Sequence, residues 1–241
     1  MSGLAELFTD ENALLERSRE VAAQPGRDAE TYRSALLELN GHYQRLMRES
    51  WRVISRSDRA ERELTLLNEQ LRELAQRLEY EASHDPLTGV YNRSAIINRI
   101  SSALLQDEAA LILLDIDHFK VINDTWGHPT GDAVIGELIR RIERSVPASG
   151  SVGRVGGEEF TILLPGATLG QAGVVAGYIH ASLNMSPLSV LPERLVTVSL
   201  GVSWGGQHSR FEQLYAEADV ALYAAKHAGR NRVHYASSAT G

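Results

Sequence analysis

The sequence predicts a mixed α/β domain preceded by an N-terminal helical coiled-coil stalk. Three observations lead there. Residues 1–83 hold a single proline and three glycines and are rich in Leu, Arg and Glu. A heptad of apolar residues runs through most of that region. From residue 84 onward, apolar runs of strand length alternate with segments of helical period and with glycine turns. The expected division is a stalk over 1–83 and a second domain over 84–241.

The stalk begins with LAELFTDENALLERSREVAAQ, a short helical stretch with Leu4, Leu7, Phe8, Leu14 and Leu15 apolar, and Pro25-Gly26 breaks it. From Arg27 the pattern predicts one long helix. Position a of the heptad holds Leu36, Tyr43, Ser50, Ser57, Leu64, Leu71 and Leu78. Position d holds Tyr32, Leu39, Leu46, Val53, Ala60, Leu67 and Leu74. A 3.5-residue repeat sustained this far argues for a coiled coil, and a helix of about 55 residues reaches roughly 80 Å. The seam is soft at Ser50, Ser57 and Ala60. Beside it lies a second apolar stripe, Leu37, Met47, Trp51 and Ile54, which either packs on the first helix or docks another protein.

In the second domain, ALILLDI (110–116) is an apolar, β-branched run ending in acid, which marks a buried strand. HFKVINDTWG and GDAVIGELIRRIERSV show helical spacing. GSVGRVGGEEFTILLPG gives strand, two-glycine turn, strand. LGQAGVVAGYIHASLN is helical and RLVTVSLGVSW is a strand. RFEQLYAEADVALYAAKHAGRNRV gives a helix, a glycine stop and a short strand. This order predicts a sheet with helices on one face.

Composition excludes several chemistries. The chain has no cysteine, so disulfides, thiolate metal sites and cysteine nucleophiles are out. A net charge of −7 speaks against a nucleic-acid binder that relies on a basic surface. There is no signal-like start, and no apolar run approaches the roughly 20 residues that span a bilayer. A cytoplasmic protein without membrane insertion is expected. Of 24 basic residues only Lys120 and Lys226 are lysine.

No P-loop or dinucleotide glycine motif is present, and no histidine cluster at metal spacing. The acids at strand ends remain. Asp115 and Asp117 flank Ile116 where the apolar strand runs out, and alternation along a strand puts both carboxylates on one side. Glu158 and Glu159 follow Gly156 and Gly157 at a hairpin turn. The plain alternative is a solvated hairpin whose glycines supply positive φ. If the strands are neighbours, Asp115 meets Glu158, and such a cluster calls for a cation. Oxygen ligands alone suggest Mg²⁺ or Mn²⁺. With Lys120, Lys226 and Arg230 as phosphate partners, the set describes phosphoryl or nucleotidyl transfer.

Several of these motifs, in this order over residues 84–236, resemble the GGDEF diguanylate cyclases: DPLTGVYNR (85–93), DIDHFKVINDTWGHPTGD (115–132), RVGGEEF (154–160) and ALYAAKHAGRNRV (221–233). The resemblance implies a palm-like fold and the condensation of two GTP into cyclic di-GMP with release of two pyrophosphates. It implies that Asp115, the Ile116 carbonyl and Glu158 hold two divalent metals per site. Asn123 and Asp132 would read the guanine edge beside His128. The N–H groups of His118 and Phe119, with Lys120, would cradle phosphates. Lys226 and Arg230 would clamp the triphosphate, and Gly156 and Gly157 would admit the nucleotide. Glu159 would help deprotonate the attacking 3′-hydroxyl, while Asp85 and Arg154 hold the opening turn to the hairpin. The family's RxxD product-inhibition motif has no counterpart, because PASG (147–150) stands in its place.

One domain holds one GTP, so two sites must face each other, and a dimer or higher oligomer formed through the stalk would set that geometry. A regulatory protein bound to the N-terminal helices is the expected control. A catalytically dead sensor module is the main rival. The presence of every signature acid disfavours it.

Overall fold

The structure, a computed structural model, describes residues 9–24, 26 and 28–237. The apolar positions Leu4, Leu7 and Phe8 and the helix breaker Pro25 lie outside them. The chain divides into two compact units, residues 1–75 and 76–241.

The first unit contains α1 (Thr9–Ala23) and most of α2 (Ala29–Ser83), an uninterrupted helix of 55 residues. Asp28 starts α2 by accepting the Thr31 N–H at 2.7 Å. The Tyr32 hydroxyl donates to the Gln24 carbonyl at 2.7 Å and closes the turn between the helices. α1 buries Leu14 and Val21, whereas α2 buries nothing within the chain. Its seam residues Leu64, Leu67, Leu71, Leu74 and Leu78 are all exposed. Met47, Trp51 and Ile54 are exposed too, so α1 does not cover the second stripe. An apolar stripe of this length left open on one chain is what a partner helix covers.

The second unit opens with the last two turns of α2. The Tyr80 ring stacks on His84 with centroids 4.0 Å apart, and His84 leans on Tyr91 at 4.8 Å. The opening turn is closed by Asp85 N–H to Val90 O and Gly89 N–H to Asp85 O. Tyr91 then pairs with the backbone of Val152 and Arg154, tying this turn to the sheet edge. Helix α3 (Arg93–Gln106) follows, capped by the Asn92 side chain on Ala95 N–H.

Five strands make one sheet: β1 (Ala109–Ile116), β2 (Ser151–Arg154), β3 (Glu159–Pro165), β4 (Val198–Gly205) and β5 (Val233–Tyr235), in the order β2-β3-β1-β4-β5. All pairs are antiparallel except β4–β5. The remaining helices are α4 (Phe119–Trp126), α5 (His128–Glu143), α6 (Leu169–Asn184) and α7 (Phe211–His227). The single-face expectation is wrong. Ala110, Ile112, Leu114 and Ile116 pack with α4, α5 and α6, while Ala109, Leu111 and Leu113 pack with α3 and α7. A continuous apolar run, not an alternating one, is the mark of a strand covered on both faces.

β4 explains how α7 sits so close. Its α7-facing positions are Ser199, Gly201 and Ser203. A Cβ on Gly201 would run into the Ala218 carbonyl and the Leu222 N–H of α7, and Ser203 donates to the Leu214 carbonyl at 2.8 Å. The helix therefore rests on strand backbone.

Candidate active site

β1 ends in the acid that the fold positions most firmly. Asp115 lies on the α3/α7 side of the sheet and is 6% exposed. The close seating of α7 delivers Lys226, in its last turn, to Asp115, with Nζ 2.7 Å from Oδ2. Directly across the ladder, Glu159 is the register partner of Asp115 and shares its face. Glu158 is tied in by its carbonyl, which accepts the Ile116 N–H at 3.2 Å. Three carboxylates and one ammonium thus meet at the end of the central strand. Burial pushes the Asp115 carboxyl above its ordinary value; Lys226 opposes this, and Glu159 and Asp117 add to it. Burial also raises Glu158, reinforced by Asp115 and Glu159 against Lys226. Acids that resist ionisation together are short of positive charge.

The turn between β2 and β3 holds the two acids in place. Val155 and Gly156 N–H groups both bond the Glu159 carbonyl, at 3.0 and 3.3 Å. Neither Gly156 nor Gly157 has a positive φ, so the hairpin does not need glycine for its backbone. The reason is space. Nothing lies within 4 Å of where a Gly157 Cβ would stand, and at Gly156 the Glu159 carboxylate occupies that place. Arg154 fixes the turn from behind: Nε donates to the Gly156 carbonyl at 3.2 Å and a terminal nitrogen to the Gly157 carbonyl at 2.7 Å. Its other arm forks onto Asp85 at 3.1 and 3.2 Å. Burial alone would raise Asp85, but hydrogen bonds from Thr88 and Arg154 pull it below the usual carboxylate range.

Past β1 the chain turns through His118 at φ 59° into α4. The His118 and Phe119 N–H groups open that helix without a carbonyl partner, as the first donors of a helix do. Lys120 is exposed and without an ion pair among the described residues. Within the α4–α5 hairpin, the Asn123 Oδ1 is buried and accepts no hydrogen bond. It lies against Gly131, where any Cβ would overlap it, beside Asp132. His128 and Asp132 are exposed.

Asp117, one residue past the strand, stays on the side of Asp115, as alternation predicts. It accepts the Thr197 hydroxyl at 2.8 Å, the Ser199 hydroxyl at 2.7 Å and the Asn231 N–H at 3.0 Å. Lys226 is paired with Asp115 here. Asn231, Asn184 and His180, which meet around the loop after α7, carry no local sequence signal. Among the described residues no three acidic or imidazole side chains form a metal cage, and the expected metal set has two carboxylates and a carbonyl. Its donors are all oxygen and its charge is unbalanced, which suits a hard divalent cation.

A clustered strand-end acid set thus lies beside an open glycine turn in an α/β domain. Residues 82–232 match the family described as diguanylate cyclase, GGDEF domain, and the chain belongs to that family. It is 37% identical over 173 residues to the probable diguanylate cyclase DgcC of Escherichia coli strain K12, covering 69% of this chain and 47% of DgcC. To the diguanylate cyclase DgcM of the same strain it is 39% identical over 165 residues, covering 66% of this chain and 40% of DgcM. The chain thus spans about half the length of the curated relatives it matches or less. Among solved structures it is similar to the diguanylate cyclase SiaD in complex with its activator SiaC from Pseudomonas aeruginosa. There the TM-score is 0.63 at 32% identity, covering 97% of this chain and 89% of that chain. The fold is the palm-like one of these neighbours. No described helix is long and apolar enough to cross a membrane.

Proposed function

We propose that the protein is a diguanylate cyclase that condenses two GTP into cyclic di-GMP, releasing two pyrophosphates. The observation that carries this reading is the meeting of Asp115, Glu158 and Glu159 with Lys226 beside the bare face of Gly157. Each 3′-hydroxyl attacks the α-phosphate of the other nucleotide, a P–O bond forms as the bond to pyrophosphate breaks, and the hydroxyl proton leaves to base. Two such steps close the ring.

Asp115, Ile116 and Glu158 would hold two divalent cations, Mg²⁺ or Mn²⁺. When bound, these ions neutralise the acids and polarise the phosphate under attack. The other roles belong to the chain. The unpartnered Asn123 Oδ1 and the Asp132 carboxylate offer acceptors to the N–H groups of guanine, with His128 at the pocket's edge. The His118 and Phe119 N–H groups and the Lys120 ammonium receive phosphate oxygens. Lys226 and Arg230 clamp the triphosphate, with Lys226 exchanging its Asp115 partner for phosphate oxygens. Glu159, opposite Asp115, takes the 3′-hydroxyl proton. Gly156 and Gly157 leave the turn open to the nucleotide.

Residues 84–241 form the catalytic domain and 1–83 the stalk that brings two sites face to face. The exposed heptad seam supports a dimer, and the uncovered stripe at Met47, Trp51 and Ile54 supports a separate regulatory protein. SiaD, similar over nearly the whole chain, was solved with an activator bound. With PASG in place of RxxD, product does not inhibit through that site. The test is product analysis after incubation with GTP and Mg²⁺, with Glu158→Ala as control. Cyclic di-GMP from the parent alone establishes the reading; a parent that fails even to bind GTP overturns it.

A further inference from the structure

The loop after α7 holds three consecutive left-handed residues: Gly229 at φ 108°, Arg230 at 61° and Asn231 at 45°. Two of them carry side chains, a conformation that persists only where the surroundings impose it. At Arg230 the N–H donates to the Ala225 carbonyl at 3.0 Å and the carbonyl accepts from Arg232 Nε at 2.9 Å, and the next residue, Asn231, is held on every side. Its N–H donates to Asp117 at 3.0 Å, and its carbonyl accepts from His180 Nε2 at 2.9 Å. Its side-chain amide exchanges a reciprocal pair of hydrogen bonds with the Asn184 amide, both at 2.9 Å. The donors and acceptors of Asn231 are thereby engaged by β1's extension on one side and by α6 on the other. Asn184 is itself steadied by its bond to the His180 carbonyl at 2.8 Å. Arg230, one residue earlier, is exposed and has no ion pair among the described residues.

We infer that His180 and Asn184 of α6 are positioning residues for nucleotide binding: by clasping Asn231 they hold Arg230 in the left-handed conformation that presents its guanidinium to the triphosphate. The inference rests on the cyclase reading. Neither residue touches substrate. Loss of either frees the Asn231 end of the loop and lets Arg230 shift, so the effect falls on the terminal phosphates and leaves the guanine pocket of α4 and α5 intact.

The test is calorimetric titration of the full chain with GTP and, separately, with GMP, for the parent, Asn184→Asp, His180→Ala, His180→Gln, Arg230→Ala and the double variant Asn184→Asp/Arg230→Ala. Asp in place of Asn184 keeps shape but turns both hydrogen bonds that Asn184 donates, to Asn231 Oδ1 and to the His180 carbonyl, into facing oxygens. Removing one charge-assisted phosphate contact costs about tenfold in affinity. Arg230→Ala, Asn184→Asp and His180→Ala are therefore each expected to weaken GTP about tenfold and leave GMP unchanged. His180→Gln, which keeps an N–H donor, restores GTP affinity. The double variant binds GTP no worse than Arg230→Ala alone. Equal loss of GTP and GMP would show a structural role only and overturn the inference, as would additive losses in the double variant. GTP affinity at the parental level in Asn184→Asp, with Arg230→Ala weakened, would overturn it as well. A parent that binds no GTP fails in a different way, by removing the cyclase reading itself.

Discussion

Arg154 performs two tasks with separate groups, and two conservative substitutions pull them apart. One arm pairs with Asp85, both side chains 17% exposed; the other arm holds the carbonyls of Gly156 and Gly157. Asp85→Asn removes the ion pair and leaves the carbonyl fork in place. A largely buried pair broken on one side costs about 3 kcal/mol, so urea unfolding at pH 7 is expected to show a loss of that order with GTP turnover little changed. Arg154→Lys keeps a positive charge near Asp85 but cannot span both glycine carbonyls. The turn carrying Glu158 then loosens, and a displacement of about 1 Å at a reacting group costs on the order of 100-fold. Turnover should fall by that factor while stability falls by less than in Asp85→Asn. The pH dependence separates them further. Asp85 is depressed below its ordinary value, so its contribution is present above that ordinary value, about 4, and fades as pH falls toward its folded one. The stability gap between parent and Asp85→Asn should therefore close on acidification. A turnover defect larger in Asp85→Asn than in Arg154→Lys would refute this division of labour.

Three other outcomes are expected. Glu137 on α5 accepts Ser189 N–H and hydroxyl, Val190 N–H and Arg141; burial alone would raise it, but these bonds pull it down to about 2 from an ordinary 4.5. It then contributes about 3 kcal/mol at neutral pH, lost as pH falls from about 4.5 toward 2; Glu137→Gln should match the parent near pH 2 in urea unfolding, and a gap unchanged by pH would contradict the linkage. Asp115→Asn should abolish turnover yet raise Tm by a few degrees at pH 7.5 without divalent ions. The fold favours the protonated acid, so the ionised parent is penalised as pH rises through the raised folded value; a lower Tm for the variant at pH 7.5 counts against it. Gly131→Ala presses on Asn123 Oδ1 and comes within 3.1 Å of Phe119 Cζ. It should cost about 1–3 kcal/mol and weaken GMP binding, and GMP affinity at the parental level would remove Asn123 from the pocket.

The residue order makes some of this legible and hides the rest for identifiable reasons. The heptad of α2, the acid that ends β1 and the GGEEF hairpin are local patterns, each contained in one element or one turn. Helix α3 is local too: Ile96, Ile100 and Leu104 recur at helical spacing after the Asn92 cap, though no strand-and-turn pattern draws notice to them. The two-faced sheet follows from the unbroken apolar run of β1, which outweighs the βαββαβ order that suggests one face. What no local pattern contains is the partner of a polar group. Asp117 finds Thr197 and Ser199 about eighty positions away and Asn231 more than a hundred away. Lys226 finds Asp115 across a similar span. Those pairings are products of the topology, and only β4 lying between β1 and β5 makes them.

The seating of α7 on Gly201 and Ser203 has a consequence for how this protein tolerates change. Where a helix rests on side chains, every substitution beneath it shifts its height, and a lysine at its end drifts with the packing. At Gly201 the spacer is main chain, whose thickness no mutation alters. The reach from Lys226 to Asp115 is thus gauged at that contact by backbone, although Leu214, Ala218 and Leu222 of the same helix pack into the apolar layer with α3. The same rigidity leaves a single vulnerable point. Any side chain at 201 would lift the whole helix, and the ammonium with it.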